Sequence, residues 1–116
     1  MNNLEQLERA LSIRQPYVEL ILLGEKTAEY RTRPTNFRGR VYLYAAKKFA
    51  DLSLPGADAS KAELSLPRGL IIGSVNIVGC VRERECFAWQ LREPIRYDTP
   101  VRAQGMPQPG FWKPRF

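Results

Sequence analysis

An almost wholly apolar segment, residues 17–23, constrains the fold more than any other part of the sequence. Glu19 is its one charged residue, Pro16 precedes it and Gly24 follows it. Proline is tolerated at the first position of a helix, where its missing N–H has no partner, and glycine commonly ends a helix. The pattern therefore predicts a helix over residues 16–23. A helix this apolar cannot lie exposed to water, so we expect it to pack on a sheet.

Alternating β-branched, aromatic and polar residues predict short strands around this helix. They cover residues 9–14, 26–31, 40–46 and 70–82, and residues 94–102 are expected to be extended. Gly73 and Gly79 interrupt the longest strand and indicate bulges or tight curvature, as a small barrel needs. We expect residues 85–91 to form a short helix. Residues 51–66 are expected to form a loop, with or without a further short helix.

The length of 116 residues is that of a single domain, with residues 1–9 as a frayed lead-in. We predict an α+β fold, a small mixed β-barrel with one buried early helix and one or two short helices. No run of 18 apolar residues is present, and the polar N-terminus lacks the apolar core of a signal peptide. The expected location is therefore cytoplasmic, away from membranes.

The absence of histidine narrows the chemistry. It excludes an imidazole base, a Ser–His or Cys–His pair and a histidine-ligated zinc. Cys80 and Cys86 lie six residues apart, which is the spacing of neither a metal site nor a redox pair, so we interpret them as ordinary core residues. We expect neither a metal nor a cofactor.

The net charge of +6 comes from one stretch. Residues 26–48 hold seven basic residues and one acidic residue, while the rest of the chain is balanced. Such a basic patch attracts phosphates and polyanions. The charge alone also fits a solvated basic face that keeps the protein in solution.

Five short segments, taken in order, carry a family resemblance. They are Ser12-Ile13-Arg14-Gln15-Pro16-Tyr17, Gly24-Glu25-Lys26-Thr27-Ala28-Glu29-Tyr30-Arg31, Phe37-Arg38-Gly39, Leu66-Pro67-Arg68-Gly69 and Gly110-Phe111-Trp112. Together they resemble the ASCH domain family of the PUA-like superfamily. The resemblance implies a PUA-like barrel with a cleft between the first helix and the barrel wall. It also implies a role in RNA metabolism, coactivation or nucleotide-related hydrolysis.

The second of these segments contains the candidate site. Glu29 and Arg31 are two residues apart in a predicted strand, so they share a face that the long side chain of Lys26 can reach. A lysine, a carboxylate and an arginine in one groove can bind a phosphate and orient a base or a water molecule. The alternative is a surface ion pair of little energetic worth.

Further candidates surround this set. Ser12 and Gln15 flank the helix N-terminus, where they would hold an anion or cap the helix. Tyr17 and Trp112 are candidates for stacking on a base, and Arg38 for contacting the ligand. We interpret Tyr30 as a packing residue and Trp89 as part of the core.

Three functions remain open from the sequence. The first is binding of RNA, a nucleotide or a modified nucleoside; the second is a ribonuclease or amidohydrolase that uses Lys26 and Glu29; the third is an adaptor for a protein partner. The resemblance to an acetylcytidine amidohydrolase branch implies a lysine followed three residues later by a threonine, but Glu29 fills that position here. This departure argues against the amidohydrolase. The sequence does not indicate the oligomeric state.

Overall fold

The strands predicted from alternating residues form one mixed sheet. The structure, a computed structural model, describes residues 5–51 and 65–116. Along the chain the elements are β1 (Ala10–Ile13), α1 (Tyr17–Leu22), β2 (Ala28–Arg31), β3 (Gly39–Ala45), β4 (Leu70–Glu83), β5 (Cys86–Val101) and β6 (Gly110–Trp112). The strand order is β2-β5-β4-β3-β1-β6, in which β1 and β3 are parallel and every other pair is antiparallel.

The apolar helix α1 forms where the sequence predicts it and lies against β3 and β5. Its residues Val18 and Ile21 are buried. The side-chain oxygen of Gln15 accepts a hydrogen bond of 3.0 Å from the backbone N–H of Glu19, a donor that has no partner within the first helical turn. Gly24 follows the helix with a φ of 79°, a conformation that glycine adopts without strain.

The alternation of side chains along β3 divides the core between the two faces of the sheet. Val41 and Leu43 belong to a cluster that includes α1 and Trp89, so the assignment of Trp89 to the core is confirmed. Tyr42 and Tyr44 point the other way, into a second cluster that includes Trp112 and Tyr97. Full burial of one such side chain stabilises the fold by about 1.5–3 kcal/mol, so both faces of the central strand contribute.

The predicted barrel is not confirmed, because backbone pairing does not close the sheet. Within the described residues, β2 and β6 remain edge strands. In a flat sheet β2 would lie four strand spacings, roughly 19 Å, from β1. Yet the Nη2 of Arg31 on β2 donates a hydrogen bond of 2.7 Å to the backbone oxygen of Ser12 on β1. The sheet is therefore strongly curved, which brings β2 close to β1. We call the gap between these two strands the seam, and the side chain of Arg31 bridges it.

The prediction of a helix over residues 85–91 is wrong. Those residues begin β5, which pairs with β4 on one side and β2 on the other. The apolar residues at 87, 89 and 91 alternate, and as a strand they bury Trp89 and Leu91 between two hydrogen-bonded neighbours. Arg84, with a φ of 53°, lies in the tight turn that precedes β5. The short helix considered for residues 51–66 falls mostly outside the described residues.

The bulges predicted at Gly73 and Gly79 are confirmed. The register between β4 and β5 shifts between Ile71 and Gly73, and again between Ile77 and Gly79. A Cβ at Gly73 would lie 2.2 Å from the backbone oxygen of Ile95, whereas a Cβ at Gly79 would meet only the side chain of Gln90. The close approach of the backbone thus requires glycine at position 73, because the carbonyl group of Ile95 is fixed in a strand. At position 79 the side chain of Gln90 can move aside.

We expect Gly73→Ala to lower the free energy of unfolding by about 3 kcal/mol, because the added methyl group overlaps a backbone carbonyl. Gly79→Ala is the matched control in the same strand and should cost about 0.5 kcal/mol or less, since Gln90 can change rotamer. Thermal unfolding followed by circular dichroism measures both. Equal losses in the two variants would contradict this account of the bulges.

Candidate functional site

A cavity of about 560 Å³ opens at the seam. Its walls are Ser12, Arg14, Tyr17, Glu29, Arg31, Tyr44, Ala46, Lys47, Lys48, Pro107, Gln108 and Pro109. These residues come from β1, the start of α1, β2, the end of β3 and the loop before β6. The volume lies within the range of about 300–1,000 Å³ that is typical of small-molecule sites in proteins.

The nearly buried pair of Glu29 and Arg31 is the polar centre of this cavity. The two side chains lie on the same face of β2, as their spacing predicts, and Tyr30 between them is exposed. Arg31 Nε donates a hydrogen bond of 2.9 Å to Glu29 Oε2 while its Nη2 reaches Ser12 across the seam. The side chains of Glu29 and Arg31 are 12% and 22% exposed, so water screens this pair only in part.

Lys26 adds a second cation beside the same carboxylate. Its Nζ lies 3.7 Å from Glu29 Oε1, and 5.2 Å and 5.1 Å from the ring centroids of Tyr17 and Tyr30. The backbone N–H of Lys26 donates to the carbonyl of Leu20, which fixes the residue at the end of α1. Aromatic rings attract an ammonium group placed over them, so Tyr17 and Tyr30 help to hold Lys26 beside Glu29. The structure thus brings Lys26, Glu29 and Arg31 together.

The cavity also offers hydrogen-bonding groups that the protein leaves unused. The hydroxyl of Ser12 is buried and has no partner among the described residues. The guanidinium of Arg31 carries five N–H donors, more than its contacts with Glu29 and Ser12 require. A buried polar group without a partner costs free energy, so a ligand that bonds to Ser12 would gain from it.

A basic rim of Arg14, Lys47 and Lys48 borders the cavity. Because β1 and β3 are parallel, their carboxyl ends lie at the same edge of the sheet, with Ile13 paired to Ala45. Arg14 follows the first strand, and the two lysines follow the second, so all three side chains meet there. They are exposed, and with Arg31 they give the cavity four positive charges against the single carboxylate of Glu29.

The remaining walls are apolar or amphipathic. Tyr17 and Tyr44 contribute aromatic rings, and Pro107 and Pro109 enclose Gln108 in the loop before β6. Burial raises the pKa of Tyr44, so its hydroxyl remains protonated at neutral pH. Flat apolar surfaces next to concentrated positive charge suit a ligand that has both an aromatic ring and a phosphate.

A sequence comparison with protein families agrees with this architecture. The family model described as the ASCH domain matches residues 11–107. This chain belongs to the ASCH domain family. The match spans every strand up to β5 and all of the cavity residues except Gln108 and Pro109. No curated protein sequence matches the chain significantly. The ASCH family is linked to RNA binding in general, which fits a cavity with a basic rim.

Two kinds of feature are absent from the described part of this ASCH domain. Within residues 5–51 and 65–116, no helix has the length and apolar character needed to cross a membrane. In the same ranges, no three side chains of the metal-binding types lie together. The cavity itself is lined by arginine, lysine, glutamate, serine and tyrosine side chains, among others.

Four of the residues predicted for the site are not among the cavity walls. Lys26 still contacts Glu29 and the ring of Tyr17, whereas the other three lie elsewhere in the ASCH domain. Gln15 is fully buried, where its amide caps α1 and donates to the backbone oxygen of Pro67. Arg38 donates to the carbonyls of Thr35 and Phe37 in its own turn. Trp112 is buried in the second cluster against Tyr44, with their ring centroids 5.0 Å apart.

The structure also places residues in the cavity that the sequence did not single out. Arg14, Tyr44 and Gln108 line its walls. The position of Arg14 at the end of a predicted strand is a usable signal, since the loops that follow strands commonly carry functional side chains. Tyr44 appeared to be an ordinary strand residue. Nothing local in the sequence around Gln108 indicates that its loop folds back to the seam.

We expect Arg31→Ala to lower the free energy of unfolding by about 2 kcal/mol, because it leaves Glu29 nearly buried without its closest partner and removes the bridge across the seam. Arg31→Lys should recover only part of this loss, since an ammonium group lacks the planar fork of donors. Urea denaturation of the wild type and the two variants measures these free energies of unfolding.

Arg38→Ala is the control for this experiment. It removes the same charge from an exposed side chain that bonds only within its own turn, and it should change the free energy of unfolding by about 0.5 kcal/mol or less. If Arg31→Ala were no more damaging than Arg38→Ala, the bridge would have no structural role.

Proposed function

We propose that this ASCH domain binds single-stranded RNA or a nucleotide-like ligand, with one base in the cavity and the phosphates on the basic rim. The observation that carries the proposal is the cavity at the seam, where four positive charges surround one carboxylate and aromatic walls. Single-stranded nucleic acids are commonly bound by a positive groove next to aromatic rings on which bases stack. The volume of about 560 Å³ has room for one nucleotide.

The polar centre of the cavity supports recognition of a base edge. Glu29 Oε1 lies 3.7 Å from Lys26 and retains lone pairs that can accept from an exocyclic amine. Arg31 and the unpartnered hydroxyl of Ser12 can donate to ring nitrogens or carbonyl oxygens of the same base. A donor and an acceptor set side by side match the edge of an unpaired nucleobase better than they match a simple phosphate.

The pairing of Glu29 supports binding over hydrolysis. A general base must come within hydrogen-bond reach of the proton that it removes. Here Arg31 donates to Glu29 at 2.9 Å, and Lys26 stands on the other side of the carboxylate. These two contacts hold the carboxylate in place as an acceptor, so we favour a binding module over a ribonuclease or amidohydrolase. A protein adaptor is the third possibility, and none of the contacts given above for residues 5–51 and 65–116 favours it.

The rim lysines provide the test of RNA binding. We expect Lys47→Ala/Lys48→Ala to weaken binding of a short labelled oligoribonucleotide, measured by fluorescence anisotropy. The slope of log K against log salt should fall by about 1.4, because each lost phosphate contact on a single strand accounts for about 0.7.

The matched control is Arg33→Ala/Arg38→Ala, which also removes two positive charges but from exposed residues outside the cavity walls. It should leave the slope nearly unchanged. Equal loss in both double variants would mean that overall charge binds RNA without the cavity, and no loss in either would contradict RNA binding at the rim.

Stacking on Tyr17 has a separate test. Tyr17→Ala should weaken RNA binding about tenfold, since base stacking on one aromatic ring contributes about 1–3 kcal/mol. Tyr17→Phe keeps the ring and should retain most of the affinity. The salt slope should be the same in both variants, because no phosphate contact is lost. Similar affinities for the alanine and phenylalanine variants would contradict stacking at this position.

A further inference from the structure

A second polar cluster lies outside the cavity, around the carboxylate of Glu5. The hydroxyls of Ser74 and Tyr97 donate to Glu5 Oε2 at 2.5 Å and 2.8 Å. Arg40 Nε lies 3.6 Å from Glu5 Oε1, and Arg40 Nη1 donates to the Ser74 hydroxyl at 3.0 Å. One carboxylate thus receives donors from three adjacent strands, β3, β4 and β5.

The donors are fixed by the sheet, whereas the acceptor is not. Ser74 is fully buried and Tyr97 is 6% exposed, and both lie in paired strands. Glu5 belongs to residues 5–9, which have no regular secondary structure before β1. Tyr42 makes a second set of contacts with this segment. Its hydroxyl donates to the backbone oxygen of Glu5 and accepts from the N–H of Leu7. The sheet therefore presents a ready-made set of donors, and the segment supplies the anion.

Removal of the Glu5 carboxylate would leave the hydroxyls of Ser74 and Tyr97 without their acceptor, and it would remove one of the two carboxylates next to Arg40. Arg40 would keep its hydrogen bonds of 3.0 Å to the Ser74 hydroxyl and 2.8 Å to the backbone oxygen of Glu93, but the Glu93 carboxylate, 3.5 Å away, is 76% exposed at its side chain. Burial, followed by the hydrogen bond to Glu5, raises the pKa of Tyr97, so its phenol remains a donor at neutral pH. Buried donors without partners are costly, so an anion from solution would gain by binding there.

We propose that Arg40, Ser74 and Tyr97 form a second anion-binding site, which takes a small carboxylate or a related oxyanion and which Glu5 occupies as an internal ligand. None of the three residues lines the cavity at the seam. A ligand tethered by a few residues has an effective concentration in the millimolar range or above. An external anion therefore competes with Glu5 only when it is concentrated or when residues 5–9 leave the sheet.

Chemical rescue of Glu5→Ala in the full chain tests the site. The variant should melt at a lower temperature than the wild type in sodium chloride. Sodium acetate at the same ionic strength should raise its melting temperature saturably, by about 5 °C at ten times the dissociation constant. The wild type should respond to acetate no more than to chloride. A sodium phosphate arm separates a site for carboxylates from a site for oxyanions in general.

Matched variants keep the proposal open to refutation. Glu8→Ala removes the same charge from an exposed residue of the same segment and should show no rescue by acetate. Glu5→Ala/Ser74→Ala should lose the rescue, because one of the donors is gone. Should Glu5→Ala fail to fold, Glu5→Gln keeps an acceptor oxygen, and acetate should stabilise it more than the wild type. Equal stabilisation by acetate and chloride, or an equal response of the Glu5 and Glu8 variants, would overturn the proposal.

Discussion

The bridge that Arg31 makes across the seam is the interaction on which the site depends. β2 and β1 are four places apart in the sheet, and no backbone ladder joins them. The guanidinium of Arg31 joins them by bonding to Glu29 on its own strand and to the backbone of Ser12 on the other. Because Arg31 makes both bonds, the curvature that brings β1 near β2 and the position of the Glu29 carboxylate depend on each other. The cavity lies beside this side-chain contact, between strands that are not paired with each other.

The location of the basic rim follows from the one parallel pair in the sheet. Parallel pairing of β1 and β3 brings two carboxyl ends to one edge, so Arg14 meets Lys47 and Lys48 beside the seam. At the Glu5 cluster the sheet supplies the hydrogen-bond donors, and the segment of residues 5–9 supplies the carboxylate. In both places polar side-chain contacts join separate segments of the chain, and a ligand can compete with such contacts.

Local patterns predicted those parts of the structure that depend on local interactions. The helix between Pro16 and Gly24 and the strand containing Gly73 follow from residues close in sequence, as does the shared face of Glu29 and Arg31. The segment after residue 85 was misassigned because its alternation is short and its two partner strands are distant in sequence. Arg38 was chosen for its charge, yet it bonds within its turn, while Gln108 was overlooked because only tertiary folding brings its loop to the seam.

The central claim is that the cavity at the seam is where this ASCH domain binds nucleic acid, and an NMR titration of the isotope-labelled protein with a short single-stranded RNA tests it most directly. The account predicts that the largest shifts of backbone amide signals fall on residues of the cavity walls, in β1, β2, the end of β3 and the loop before β6. Signals of the turn around Arg38 and of the hairpin at Arg84 should move little. Shifts concentrated at that turn or hairpin, with the cavity signals unchanged, would contradict it.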